Sequence, residues 1–410
     1  MSSAALKPVP GGLVSPAFQR VAEVFAQEIK RYPGGGAVAV YHNGQPVVDL
    51  WEGKRNWEGD AWQEDTLSVS FSTTKGVVST LLHQQAAKGL INYDAPVCEY
   101  WPEFAANNKH TITVRDLLTH RAGLYRMDNL GLSFEQVLDW DTVCNALARA
   151  PADNSAAPFS VYHALTFGWL VGEVVQRVTG KSITALTQSQ LALPLGLDGF
   201  YIGTPDSEHH RVANLLMGRR PGSTPKPRTL GKVISKQLKA SARNGVDNLI
   251  NAGVLPDITR FEKAAAVKGM KAQKLTSAPA LRAAMPGFGG VFTARSLARF
   301  YAALANGGEL DGTRILPMET AALLSKQQVF SLDRAFYTPM RWRLGFHQPF
   351  VWGLKRPPQG FGHFGFGGSG AWADPQRKLA IALTVNGGEG TPWGDSRILK
   401  IGAAALRCSR

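Results

Sequence analysis

The spacing of apolar residues changes period twice along this chain, and those changes constrain the fold more than any single residue does. Ser15-Pro16 reads as an N-cap with proline at the first helical position. Phe18, Val21, Phe25 and Ile29 follow at helical spacing, so residues 16–32 are expected to form an amphipathic helix. Residues 37–41 and 46–51 read as strands. Asn43-Gly44 between them suits a hairpin, because both central positions of a type I′ turn need positive φ. From residue 73 to about 285 the pattern is mostly helical. Thr113 and Asp116 form a capping-box start. Residues 164–178 make an amphipathic helix stopped by Gly180, residues 182–192 another, and residues 293–305 a further one. The last quarter returns to short strands at 360–366, 370–373 and 378–385, with a turn at Asp374-Pro375-Gln376-Arg377, and closes with a helix over 396–406.

Helix and strands at both ends, with helices between, imply an α/β (α+β) fold. An antiparallel sheet is flanked by helices from both termini, and a mostly helical domain is inserted. The expected division is 1–72 with 285–410 as one discontinuous domain and 73–284 as the other, the latter including a basic insertion or lid at about 205–284.

Ser72-Thr73-Thr74-Lys75 stands where the helical part begins. Val77, Val78, Leu81 and Leu82 fall on one face of a helix expected over 77–90. Ser72 and Lys75 are three apart, so on its first turn both point to the same side. A serine hydroxyl is a poor nucleophile until a base takes its proton. A lysine amine serves once desolvation or a neighbouring cation lowers its pKa. The helix start adds free N–H groups and a positive dipole end that suit a developing oxyanion. Alone, this spacing also describes a helix cap followed by a solvated lysine. A second copy, Ser223-Thr224-Pro225-Lys226, is set aside because the prolines at 221, 225 and 227 forbid a regular helix. Ser369 lacks a Gly-x-Ser-x-Gly elbow, since position 371 is Ala, and no other serine has one, which argues against an α/β-hydrolase.

The 410 residues exceed what one core usually holds, and 44% hydrophobic with 19% charged residues describes a globular chain. No apolar run is long enough to span a bilayer, and the first dozen residues carry no signal core. Cys98, Cys144 and Cys408 are few and scattered, which fits a reducing cytoplasm and no zinc site. The nine histidines show no ligand-like pairing, so no metal and no organic cofactor is expected. Residues 205–274 hold 14 Lys/Arg against 5 Asp/Glu, most of the net charge of +14. That segment lacks interleaved aromatics and any nucleic-acid motif, so it reads as a solvated face and no nucleic-acid partner is expected. Monomer and homo-oligomer stay equally open.

Several stretches carry a resemblance, in order. They are Phe71-Ser72-Thr73-Thr74-Lys75-Gly76, the run from Thr113 through His120 to Leu124, and Tyr162-His163-Ala164 ahead of Gly168-Trp169. Gly287 to Gly308 and His363-Phe364-Gly365-Phe366-Gly367-Gly368-Ser369 complete the set. Together they resemble the serine β-lactamase/penicillin-binding-protein superfamily, and within it the class C β-lactamase-like esterases called family VIII carboxylesterases. The resemblance implies a β-lactamase-like fold with Ser72 as the acylated nucleophile and Lys75 as its base or proton partner. Tyr162 would be the tyrosine of the Tyr-x-Asn motif, and His363 stands where the Lys of Lys-Thr-Gly usually sits. The backbone N–H groups of Ser72 and of Phe366, on the strand, would form the oxyanion hole. His163, Gly365 and Gly367 would bind substrate. Glycines there let a substrate approach the strand closely. Lys75 and His363 could lower the pKa of Tyr162. His120 reads as structural.

Two departures matter. Ala164 replaces the Asn of Tyr-x-Asn, and His363 replaces a permanent cation. Both weaken β-lactamase or peptidase activity and favour an uncharged short-chain ester. The expected activity is therefore a cytoplasmic serine carboxylesterase working through an acyl-enzyme on a small-molecule ester. β-Lactam, D-amino-peptide or amide hydrolysis and acyl transfer are the alternatives from the same machinery. A non-catalytic scaffold binding anionic surfaces is the remote one.

Overall fold

The structure is a computed structural model that describes residues 7–9, 11–217, 257, 259–351, 353, 358–388 and 395–409. Among the described residues, seven strands form one antiparallel sheet. Their spatial order is Lys7–Val9, Gly12–Val14, Gln45–Gly53, Gly35–His42, Leu379–Val385, Gly370–Asp374 and Phe361–Phe364. The two ends of the chain meet in its middle, where His42 pairs with Leu379 and Gly36 with Val385. The hairpin expected at Asn43-Gly44 forms, with φ of 53° and 77° at those residues.

Strand alternation decides what covers each face. Val38, Val40, Val48, Leu50, Ile381 and Leu383 point to one side, where the helices Gln19–Ile29 and Ser396–Cys408 bury them. The opposite face carries Ala37, Ala39, Ala371, Ala373, Ala380 and Ala382. These small side chains let the helix Ala294–Ala305, capped by Thr293, lie close on the sheet. That face shares one continuous core with the helical region between the sheet's two halves.

Several expectations are refined. Ser15 makes no capping hydrogen bond, and Pro16–Phe18 is a separate 3₁₀ turn before the first helix. The helix expected over 77–90 spans Thr74–Ala87 and is buried on every side, polar Thr80, His83 and Gln85 included. The single apolar face is thus corrected: the helix runs through the molecule's interior against the helix Thr166–Thr179. Thr113 and Asp116 close a capping box on the helix Val114–Leu118, and Gly180 ends Thr166–Thr179 with φ of 66°. Ser182 caps Ile183–Thr187, which continues as a widened turn over Gln188–Ala192. A small sheet of Ser68–Val69, Val291–Phe292 and Phe200–Tyr201 interrupts the helical tract. The hairpin Val329–Asp333 with Thr338–Trp342 was not anticipated. Within the basic segment, helical candidates read from the sequence at 233–242 and 258–270 fare differently: the first, like Ser223 to Lys226, lies outside the described residues, and of the second the described residues 259–270 are helical only over Arg260–Ala265. Among the described residues no helix is long and apolar enough to cross a membrane.

Candidate active site

Ser72 does not sit on the α-helix itself but in the 3₁₀ turn Phe71–Thr73 that leads into it. Phe71 holds the left-handed conformation at φ 47°, which a bulky residue adopts only when its surroundings over-determine it. Thr74 supplies that constraint. Its hydroxyl donates to the Phe71 carbonyl at 2.6 Å and accepts from the Gly290 N–H at 2.9 Å. Ser72 is 9% exposed and faces a cavity of about 240 Å³. Phe71, Tyr162, Leu165, Phe288 and Phe366 wall it, and Phe261, Met270, Lys271 and Leu275 reach it from the basic segment.

Lys75 is fully buried, and its Nζ lies 3.0 Å from Ser72 Oγ, 2.7 Å from the Ala164 carbonyl and 2.8 Å from the Gly287 carbonyl. It forms no ion pair among the described residues. A buried ammonium without a carboxylate is poorly solvated, so burial holds the Lys75 pKa well below its ordinary value. The three partners are one hydroxyl and two carbonyls; in the neutral amine, two N–H bonds would go to the carbonyls and the lone pair would face the Ser72 hydroxyl. The carbonyls arrive there through close backbone packing. A side chain at Gly168 would collide with the backbone of Pro286 and Gly287, so only glycine lets the helix Thr166–Thr179 press against that strap. Ala164, where an amide was missing, contributes through its main chain instead.

Tyr162 stands over this pair. Its hydroxyl is near enough to the Ser72 side chain to be influenced by it, and its ring centre is 4.9 Å from Lys75 Nζ. The ring stacks on Trp342 at 5.8 Å and 8° and packs 5.0 Å from Phe336. Its backbone N–H donates to Asp333 Oδ1 at 3.4 Å. Burial raises the Tyr162 pKa, the Asp333 charge adds to this, and the nearby Ser72 hydroxyl only partly opposes it. The expectation that cations depress it is therefore corrected.

His363 supplies no such cation. The ring is buried on the strand Phe361–Phe364, donates Nε2–H to the Gly345 carbonyl at 2.8 Å, and packs 5.2 Å from His347. Burial pushes its pKa well below the ordinary value, so it is neutral and offers no cation to Tyr162. It does not line the cavity. Phe366 does, though from the turn after that strand rather than on it, with its ring 6.0 Å from Phe71.

The substrate-binding expectations fare differently. His163 donates Nδ1–H to the Val161 carbonyl at 2.7 Å and accepts from the Leu124 N–H at 3.0 Å, so both ring nitrogens are committed to the backbone. Burial lowers its pKa to about 4. It is scaffold, not a substrate contact. His120 is likewise structural, its Nδ1 accepting from the His163 N–H at 3.1 Å. At Gly365 and Gly367 the space a side chain would take is filled by Ser70 and by the Phe71 ring. These glycines admit the nucleophile turn, not a ligand. The sequence reading missed Asp333, Phe336 and Trp342, although the alternation of Val329, Ser331 and Asp333 with Phe330 and Leu332 carried a strand signal.

A buried serine–lysine pair beneath a tyrosine, at the entry to a helix beside an antiparallel sheet built from both chain ends, defines a β-lactamase-like serine hydrolase. Comparison with known proteins bears this out: the chain belongs to the β-lactamase family, whose model matches residues 22–406. It is 39% identical to the esterase/β-lactamase LipL of Mycobacterium tuberculosis over 92% of this chain and 82% of that protein. A crystal structure of a family VIII carboxylesterase is 31% identical, with a TM-score of 0.80 over 98% of this chain and 100% of that one. EstA from Arthrobacter nitroguajacolicus is 26% identical, with a TM-score of 0.77 over 97% of each chain.

Proposed function

We propose that the protein is a serine carboxylesterase that hydrolyses small esters through an acyl-enzyme on Ser72. Neutral Lys75 takes the hydroxyl proton as Ser72 Oγ attacks the ester carbonyl. The N–H groups of Ser72 and Phe366 are offered to the oxyanion, Ser72 lying in the 3₁₀ turn that precedes the helix, where N–H groups lack intrahelical acceptors. The tetrahedral intermediate collapses, the C–O bond to the alcohol breaks, and the leaving oxygen takes a proton from the Tyr162 hydroxyl, which recovers one from the Lys75 ammonium. Water then adds to the acyl carbonyl, gives its proton back through the same relay, and Ser72 leaves with its hydroxyl restored. Tyr162, with a raised pKa, is a relay here and not a resting phenolate.

One observation carries this reading: a buried lysine with no carboxylate partner among the described residues, whose Nζ lies 3.0 Å from the serine hydroxyl and otherwise meets only two backbone carbonyls. The cavity of about 240 Å³ supports a short acyl chain. At ~30 Å³ per water-sized group it holds roughly eight heavy atoms. The residues from 261 to 275 that reach the cavity support the lid reading for the described part of the basic segment. The division at about residues 72 and 285 remains our domain reading, and the three free cysteines suit a reducing, cytoplasmic location. Turnover of p-nitrophenyl acetate, butyrate and decanoate tests the proposal. Short chains are expected to be preferred, with Ser72→Ala and Lys75→Ala each losing at least about a thousandfold in kcat/KM. Turnover surviving Ser72→Ala would remove the assignment.

A further inference from the structure

The sequence argued for an uncharged substrate because His363 replaces a cation on the strand. The structure returns a cation to the site from the basic segment. Lys271 lines the Ser72 cavity, and no acidic residue among the described ones does. It lies in an extended backbone stretch (φ −135°, ψ 149°) immediately before the turn Ala272–Thr276 and keeps its side chain exposed. Two nearby lysines in the same segment are neutralised, Lys263 by Asp257 at 2.8 Å and Lys274 by Glu135 at 2.6 Å, and Lys268 does not line the cavity. Among the described residues Lys271 has no ion-pair partner. The other lining side chains are apolar apart from Ser72, which is engaged by Lys75, and Tyr162. An uncompensated ammonium beside apolar walls attracts an anion more strongly than one in open water, because the walls exclude screening solvent.

We propose that Lys271 is a specificity-determining residue that pairs with a free carboxylate on the substrate, so that the preferred esters are half-esters of short dicarboxylic acids. The inference rests on the esterase reading above and deepens it. The acyl chain lies along Phe71 and Phe366 with its carbonyl at Ser72, and its distal carboxylate meets the ammonium at the cavity's rim.

Monomethyl glutarate and methyl valerate present nearly the same acyl chain with and without the charge. Released methanol gives kcat/KM for both on the full-length protein. In Lys271→Ala the ratio of anionic to neutral kcat/KM is expected to fall about tenfold, mainly through KM for the half-ester, as for loss of one charge-assisted contact. Lys271→Glu lowers it further, Lys271→Arg restores it, and added salt narrows it in the wild type alone. A ratio unmoved by Ala and Glu overturns the inference while leaving the esterase reading intact. Binding measured calorimetrically in Ser72→Ala, which needs no turnover, separates the two. There the half-ester is expected to bind about tenfold more tightly than methyl valerate, and Lys271→Ala to erase the difference. Equal binding of the two esters in that background also overturns it. Absence of turnover in wild type, with the binding difference present, sinks only the esterase reading.

Discussion

Replacing Gly168 with alanine separates the effect of one methyl group on stability from its effect on chemistry. The site is helical, so alanine gains about 1 kcal/mol in propensity over glycine. Against this, the new Cβ meets the backbone of Pro286 and Gly287, atoms that cannot rotate away, and such overpacking costs about 1–3 kcal/mol. The two effects nearly offset, and the net loss of stability is expected to stay below about 2 kcal/mol. Activity has no such compensation. To relieve the clash the 286–287 strap retreats and takes with it the Gly287 carbonyl, one of the two that hold Lys75 Nζ. A displacement of about 1 Å at a positioned group costs on the order of 10²-fold in rate. The variant is therefore expected to melt as a folded protein within a few degrees of wild type, yet to lose about a hundredfold in kcat and in its labelling rate by a fluorophosphonate. An alanine variant with a higher melting temperature and kcat within threefold of wild type would refute the reasoning that close helix packing sets the lysine's geometry.

Tyr162→Phe removes only the hydroxyl proposed as the proton relay beside Ser72, so kcat is expected to drop about 10²–10⁴-fold with little change in melting temperature. Acid stability follows from His83, His163 and His347, each held at about 4 by burial. Their depressed folded pKa favours the neutral form, so this stability is complete above the unfolded value near 6.5 and is lost as pH falls from about 6.5 to 4. Each histidine accounts for roughly 3 kcal/mol, and a melting temperature that stays flat over that window would contradict the assignment. Asp333 behaves oppositely: burial raises its pKa to about 7, so its ionisation destabilises the fold as pH rises from about 4 to 7. Asp333→Asn keeps an acceptor for the Tyr162 N–H, and its stability relative to wild type is expected to be greater at pH ~8 than at pH ~5 in urea titrations.

Much of the fold was legible because it is local. Asn43-Gly44 specifies its own turn, Thr113 with Asp116 and Gly180 mark helix ends, and the strand–helix order at both termini forces the chain ends into one sheet. The serine–lysine pair was legible for the same reason, since a spacing of three fixes its geometry. What failed depended on long-range packing. Whether His363 meets solvent or the Gly345 carbonyl is decided by what covers the strand, and no local pattern encodes that. The sign of the Tyr162 shift turns on its burial beneath Trp342 and on a carboxyl 171 residues away at Asp333. The glycines at 365 and 367 were read correctly as places of close approach, but what approaches is the protein's own nucleophile turn. Lys271 was one of many lysines in a basic run until the fold put it at the cavity while Lys263 and Lys274 found acids.

The central claim is that one hydroxyl, made nucleophilic by the buried amine three residues on, carries the acyl group. Intact-mass analysis after reaction with a fluorophosphonate, followed by peptide mapping, reads this directly. A single adduct on the peptide containing Ser72, absent in Ser72→Ala and slowed by at least about a hundredfold in Lys75→Ala, is the expected result. An adduct on another serine, or undiminished labelling of Ser72→Ala, would contradict it.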